Sequence, residues 1–224
     1  MSLTVLWLVC LIVPLGLGLW AQRKVKTTFA KWSEVPTRNG LTGAQAAAEV
    51  IRASGLPDVE IRAVEGRLTD HYDPRNRTLN LSPDVGQAAT VAAVGVAAHE
   101  AGHAIQDARG YKPMRVRQTF VPVASIGSSL ALPIIFVGFL LGSLGLVNVG
   151  LALFSAIVLF QLVTLPVEFD ASKRALVALQ DGRLLAADEL TGAREVLTAA
   201  AWTYVAAFVA ALAQLIYFFA ASRR

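Results

Sequence analysis

The sequence predicts a mainly α integral membrane protein, with four transmembrane helices and a polar region that includes a small β hairpin or ribbon. Of its 224 residues, 55% are hydrophobic and only 16% are charged, which lies outside the norm for soluble domains. Three long stretches contain no Asp, Glu, Lys, Arg or His: residues 1–22, 118–167 and 196–222. The polar residues between the first two stretches alternate with apolar ones in places, as strands require.

The charge-free stretches have the lengths of membrane spans. A bilayer crossing needs about 20 apolar residues in a helix. The first and last stretches hold one span each, and the middle stretch holds two, with a break at residues 142–145. The first apolar run follows no basic segment and continues too far for a cleaved signal, so we expect an uncleaved anchor. The predicted spans are residues 1–22, 118–141, 145–166 and 196–220.

The basic residues predict an orientation in the membrane. Fourteen of the 20 Lys and Arg residues lie between the first and second spans, and four lie between the third and fourth. Only Arg223 and Arg224 fall on the other side. The positive-inside rule therefore places residues 23–117 and 167–195 in the cytoplasm. No basic run is interleaved with aromatic residues, so the sequence does not indicate a nucleic-acid partner.

The polar region after the anchor and a basic linker contains signals for both helices and strands. Thr42 to Gln45 form a capping box that opens a helix ending near Gly55. Alternation after Val59 and again before Leu81 predicts a small hairpin or three-stranded ribbon between those residues. Two further helices are predicted. Ser82 and Pro83 open one over about 83–108, and Pro166 leads into another over about 167–180. Both end near glycines.

The most specific motif of the chain is an HExxH pattern formed by His99, Glu100 and His103. On a helix, residues four apart share a face, so the two imidazoles can bind one metal ion. Glu100 is then placed to take a proton from an activated water molecule. Gly95 and Gly102 lack side chains and would allow other helices to approach this helix closely. The pattern predicts a zinc site with Glu100 as the catalytic residue.

A zinc hydrolase usually has three protein ligands, and four residues are candidates for the third. They are His71, Asp107, Glu168 and Asp170. Asp107 lies one turn beyond His103, which suits a carboxylate that supports a ligand, and we expect His103 or a neighbouring arginine as its partner. Glu168 is the first charge after fifty neutral residues, at a membrane exit and in the first turn of the predicted helix. We therefore expect Glu168 to be the third ligand.

The remaining candidates keep more than one interpretation. Asp170 lies about 200° round the helix from Glu168, so both carboxylates are not expected on one ion, and Asp170 is instead a candidate for a carboxylate that supports a ligand. His71 is either a hydrogen-bonding residue of a turn or strand or a group that stabilises the oxyanion or contacts the substrate. Tyr72 and Tyr111 are either oxyanion donors or packing residues.

Five segments resemble one known family: residues 40–43, 68–74, 96–106, 122–129 and 162–172. In these segments the chain is similar to the YugP-type bacterial neutral zinc metallopeptidases, membrane proteins of the gluzincin group. The resemblance implies a zincin-like region in a bacterial inner membrane, with zinc bound by His99 and His103 and with Glu100 as the catalytic base.

The layout is also similar to that of the HtpX-type membrane proteases, in which spans separate the HExxH helix from a third-ligand glutamate. Glu168 occupies the corresponding place in this sequence. That pattern typically has an acid four residues after the glutamate. Here the position holds Ser172, and the nearby acid is Asp170. The sequence therefore departs from the pattern in the residues that support the third ligand.

These observations predict a membrane-bound zinc metalloendopeptidase that cleaves membrane or membrane-proximal polypeptides at the cytoplasmic face. The predicted strands offer an edge with which an extended substrate could pair. The alternative is a zinc-stabilised membrane scaffold or assembly protein without turnover, and Glu100 favours the enzyme because a structural site needs no base. A homo-oligomer or another membrane partner stays open. Transport is not indicated, since the predicted spans contain no ionisable residue.

Overall fold

A computed structural model describes residues 2–67 and 69–223 of the chain. Met1, Leu68 and Arg224 lie outside the described residues, so the start of the first predicted span, one residue of the segment 68–74 and one of the two terminal arginines are not described. Within the described residues the fold is mainly helical, with one small sheet. The elements are α1 (Leu3–Ser33), α2 (Gly43–Ala53), β1 (Glu60–Ala63), β2 (His71–Asp73), β3 (Thr78–Leu81), α3 (Pro83–Gly86), α4 (Val91–Ala108), α5 (Lys112–Leu140), α6 (Leu144–Asp181) and α7 (Ala187–Ser222).

Among the described residues, four helices are long and apolar enough to cross a membrane, namely α1, α5, α6 and α7. The predicted fold class is confirmed, because these four helices accompany a small sheet in an otherwise helical chain. A turn at Gly142, which has a φ of +62°, separates α5 from α6 near the predicted break. Each of these helices extends beyond its predicted span at one end or both, and α1 continues through the basic segment predicted to be a linker.

The described chain divides into two compact units, and one consists of the apolar segments Met1–Gln22, Pro113–Pro166 and Trp202–Arg224. Its buried core contains residues of α5, α6 and α7, including Ile135 and Val147. A Cβ added to Gly150 of α6 would lie 2.5 Å from Cγ1 of Ile135 in α5. Small residues therefore let these two helices pack closely, as is common where lipid surrounds the protein.

The second unit consists of Arg23–Lys112 and Val167–Ala201 and contains the sheet, α2, α3 and α4. The strand order is β1-β3-β2, with β1 parallel to β3 and β2 antiparallel to it. This arrangement confirms the predicted small ribbon and places β2 at an edge of the sheet. At the start of α2, the side chains of Thr42 and Gln45 form the predicted capping box.

The prediction of one helix over residues 83–108 is wrong, because the structure divides this stretch into α3 and α4. The backbone between them bonds to another segment instead of continuing a helix. Val91 donates to the carbonyl of Val35, and Thr37 donates to the carbonyl of Ala89. The side chain of Thr90 then caps α4 by accepting from the N–H of Ala93 at 3.4 Å.

The prediction that a helix begins after Pro166 is also wrong, since Pro166 lies inside the continuous α6. Glu168 is therefore a mid-helix residue, and the helix dipole does not explain its position. Proline inside a helix destabilises it by about 3 kcal/mol because one backbone hydrogen bond is lost. Burial offsets this cost: one face of α6 beyond Pro166 is fully buried, at Val167, Ala171, Ala175 and Leu179.

Two glycines of α4 allow the close helix contacts predicted from the sequence. A Cβ added to Gly95 would meet Ala193 of α7 at 3.3 Å. A Cβ added to Gly102 would lie only 2.5 Å from the backbone oxygen of Ala171 in α6. The second contact leaves no room for a side chain, so α6 lies directly against the HExxH segment of α4.

We expect Gly102→Ala to destabilise the metal-free protein by about 1–3 kcal/mol, because the added methyl group forces α4 and α6 apart. Gly16→Ala in α1 is the matched control, since nothing lies within 4 Å of the added Cβ. The control substitution should stabilise the protein by about 0.5–1 kcal/mol, because alanine loses less backbone entropy than glycine when a helix forms. Thermal unfolding in detergent measures both, and equal effects of the two substitutions would contradict the packing described here.

Candidate metal centre

The helix α4 presents His99 and His103 one turn apart on the same face. Their ring centroids lie 4.7 Å apart, with an angle of 81° between the ring planes. On the opposite side of α4, small side chains such as Ala97 and Ala101 are fully buried and pack the helix into the core. The two imidazoles are therefore carried by a rigid element, and His103 is itself only 8% exposed.

Glu168 of α6 brings a carboxylate to these two imidazoles. Its Oε2 lies 3.3 Å from Nε2 of His99 and 3.6 Å from Nε2 of His103. One ligand atom from each of the three residues lies within 4.8 Å of the other two, which makes them a group that could hold a metal ion. Glu168 is only 2% exposed, so it is a buried carboxylate held beside two histidines.

The donor set fits zinc. Zinc in hydrolases takes imidazole nitrogens at about 2.0–2.1 Å and carboxylate oxygens at about 2.0–2.2 Å in tetrahedral geometry, so adjacent donor atoms lie about 3.3–3.5 Å apart. The oxygen–nitrogen distances of 3.3 and 3.6 Å are close to this spacing. Two nitrogens and one oxygen would leave one position for substrate or water, as catalytic zinc sites do.

The surroundings of His103 favour positive charge. Burial disfavours its charged form, but the contact with Glu168 and the charges of Glu100 and Glu168 together raise the pKa of His103 above its ordinary value. The same carboxylates that stabilise a proton on this imidazole would stabilise a cation bound beside it. The electrostatics of the group therefore agree with its donor set.

A buried amide connects His103 to α6, and sequence reasoning did not assign it a role. Oε1 of Gln106 lies 3.0 Å from Nδ1 of His103, and its Nε2 donates to the carbonyl of Val167 and to Oδ2 of Asp170, both at 2.8 Å. Asp170 also accepts from Nε of Arg174 at 2.5 Å. The sequence suggested Asp170 as a supporting residue. In the structure Asp170 is connected to His103 through Gln106, which forms a hydrogen bond with each of them.

The serine that departs from the HtpX-type pattern lies against the other histidine. Oγ of Ser172 is 3.1 Å from Nδ1 of His99. Ser172 lies four residues after Glu168, one turn along α6. A hydroxyl thus contacts His99 at the position where that pattern has an acid, and only the three-dimensional structure identifies this contact.

Glu100 lies between the paired histidines in sequence, and the sheet holds its carboxylate. Oε2 of Glu100 accepts from the backbone N–H of Tyr72 in β2 at 3.1 Å. The hydroxyl of Tyr72 donates to Oδ2 of Asp107 at 3.0 Å. Burial and the charge of Asp107 raise the pKa of Tyr72 well above its ordinary value, so its hydroxyl stays a neutral donor. The partner of Asp107 is therefore Tyr72. The prediction that His103 or a neighbouring arginine pairs with Asp107 is wrong.

His71 lies outside the group of three. Its Nδ1 donates to the carbonyl of Thr69 at 2.8 Å, and its Nε2 lies 3.2 Å from the amide nitrogen of Asn80. Both ring nitrogens are thus engaged within the ribbon, as expected for a hydrogen-bonding strand residue. Tyr111 packs under Arg174, whose guanidinium carbon lies 5.6 Å from the ring centroid.

Comparison with known proteins gives a matching family and a similar bacterial protein. The family described as "Putative neutral zinc metallopeptidase" matches residues 7–223. The "Putative membrane protease YugP" of Bacillus subtilis (strain 168) is 45% identical over 208 residues, which cover 92% of this chain and 92% of that protein. No solved structure matches. The family resemblance noted in the sequence is confirmed by these matches.

Proposed function

The chain belongs to the neutral zinc metallopeptidase family, and on that premise we propose that it is a membrane-bound zinc endopeptidase. The observation that carries this proposal is the convergence of His99, His103 and Glu168 beside Glu100. Two imidazoles and one carboxylate are the ligands of a hydrolytic zinc site, and the fourth residue supplies a base.

In this proposal His99, His103 and Glu168 hold the zinc ion. Bound zinc would polarise the carbonyl of the scissile peptide bond and make a water molecule more acidic. Glu100 takes the proton from the attacking water and returns it to the nitrogen of the leaving amine. The bond from the N–H of Tyr72 fixes one carboxylate oxygen of Glu100 and leaves the other available for this transfer.

The substrate is proposed to be a polypeptide bound in an extended form along β2. This strand lies at an edge of the sheet, and its Tyr72 reaches Glu100 directly. Glu100 accepts from the backbone N–H of Tyr72 at this edge, so a peptide that lay alongside β2 would run past the proposed base. The four apolar helices keep the enzyme in a membrane, which favours substrates that are membrane proteins or segments close to the bilayer.

The proposed location is the inner membrane of a bacterial cell, with residues 23–117 and 167–195 in the cytoplasm. This part of the proposal is supported by the excess of Lys and Arg in these two segments over the other side of the membrane. The catalytic group would then act on chains at the cytoplasmic face.

We expect Glu100→Gln to retain zinc and to lose peptide cleavage by at least 100-fold, because the amide cannot accept the proton. Zinc content and hydrolysis of a casein-type substrate by the purified protein measure the two effects. Glu34→Gln is the matched control, since Glu34 is exposed and lies outside the group. Retained cleavage in Glu100→Gln would exclude the assigned base, and no cleavage by a zinc-loaded wild type would favour the scaffold.

The orientation can be measured with single cysteines in a Cys10→Ser background, since Cys10 is the only cysteine. We expect Arg75→Cys, in the exposed turn between β2 and β3, to react with a membrane-impermeant maleimide only after the cells are permeabilised. Arg223→Cys, an exposed position at the end of the chain, should react in spheroplasts without permeabilisation. The reverse pattern of labelling would place the site on the outer face.

A further inference from the structure

The orientation of the Gln106 side chain follows from its partners. Gln106 is fully buried, and its Nε2 lies 2.8 Å from the carbonyl oxygen of Val167 and 2.8 Å from Oδ2 of Asp170. Both partners are acceptors, so the atom that faces them must be the NH₂ group, with its two protons used. The carbonyl Oε1 of Gln106 therefore has to face His103.

This orientation determines the state of His103. Nδ1 of His103 lies 3.0 Å from Oε1 of Gln106, and an amide oxygen can only accept. Nδ1 must therefore carry the proton, which leaves the lone pair of the neutral ring on Nε2. Nε2 is the atom that lies 3.6 Å from Oε2 of Glu168 and belongs to the candidate metal group.

The same amide also bonds to α6 on both sides of the third ligand. Val167 precedes Glu168 and Asp170 follows it by two residues. Asp170 is held in turn by Arg174, one turn further along the helix. Gln106 thus fixes the position of the α6 turn that carries Glu168 relative to the turn of α4 that carries His103.

We propose that Gln106 is a positioning residue that sets the tautomer of His103 and the register of Glu168 at once, which rests on the proposed zinc site. In the part of the chain that the structure describes, no amide side chain contacts a ring nitrogen of His99. Its Nδ1 faces the hydroxyl of Ser172, which can rotate to donate or to accept and so does not select a tautomer. The site therefore contains one histidine, His103, whose tautomer is set by a neighbouring side chain, and a second, His99, whose tautomer is not.

Gln106→Met tests this role in the full-length protein in detergent, because methionine has a similar length and offers none of the three hydrogen bonds of Gln106. We expect zinc affinity, measured by competition with a chromophoric chelator, to fall by about 10–100-fold. Ile105→Ala is the matched control, a core truncation of the neighbouring residue with no bond to the group. It should destabilise the metal-free protein at least as much as Gln106→Met and leave zinc affinity within about threefold of the wild type.

A spectroscopic measurement separates positioning from stability. The chain contains three histidines, so nitrogen-15 labelling of histidine gives three sets of imidazole signals. In the zinc-saturated wild type, the Nδ1 proton of His103 should exchange slowly with solvent because it is buried and bonded to Gln106. In zinc-saturated Gln106→Met this proton should exchange faster, while the signals of His71, which lies outside the group of three, stay unchanged.

Unchanged zinc affinity and unchanged exchange at His103 in Gln106→Met would overturn the inference, provided that the wild type binds zinc and cleaves peptides. An equal loss of affinity in Ile105→Ala would overturn it as well, because the effect would then follow stability. A wild type that binds no zinc would instead remove the proposed function, and the two failures are therefore distinguishable.

Discussion

The candidate site depends on one close contact between helices, that of Gly102 in α4 with the backbone of Ala171 in α6. Gly102 lies between the two histidine positions of the motif and next to His103 in sequence, and Ala171 lies one turn beyond Glu168. Because no side chain separates the two backbones, α6 lies close enough to α4 for the carboxylate of Glu168 to contact both imidazoles. A wider spacing would separate this buried carboxylate from the two imidazoles, and a buried charge that loses such partners is costly in a protein interior.

Around that contact, buried and half-buried polar groups of α4, α6 and β2 satisfy one another. Gln106 links α4 to α6, Ser172 faces His99, and the strand β2 bonds to Glu100 through the backbone of Tyr72. These bonds lie on helices and a paired strand, so the site is held by regular secondary structure. Such placement limits the reorganisation that binding a metal ion would require.

The sequence allowed much of the fold to be predicted because the signals were local. Apolar stretches of span length, the capping box at Thr42 and the i, i+4 spacing of His99 and His103 each depend on residues close in the chain. Glu168 could be proposed as a ligand because it is the first charged residue after a long neutral stretch, a placement that suggests a specific role. The structure brings it to the two histidines, and its role as a zinc ligand stays a proposal.

The features that the sequence did not reveal depend on contacts between distant segments. Pro166 is a helix-breaking signal, yet packing of the following face of α6 keeps the helix continuous. The break before α4 arises because residues near Thr90 bond to the segment after Val35. The pairing of Asp107 with Tyr72 crosses from a helix to a strand, and no local pattern predicts it.

X-ray absorption at the zinc edge, recorded on the purified full-length protein after loading with one equivalent of zinc, tests the central claim most directly. The account predicts two imidazole nitrogens at about 2.0–2.1 Å and oxygen ligands at about 2.0–2.2 Å, with the multiple scattering that imidazole rings produce. A sulfur ligand at about 2.3 Å, which Cys10 alone could supply, or a spectrum without imidazole scattering would contradict it.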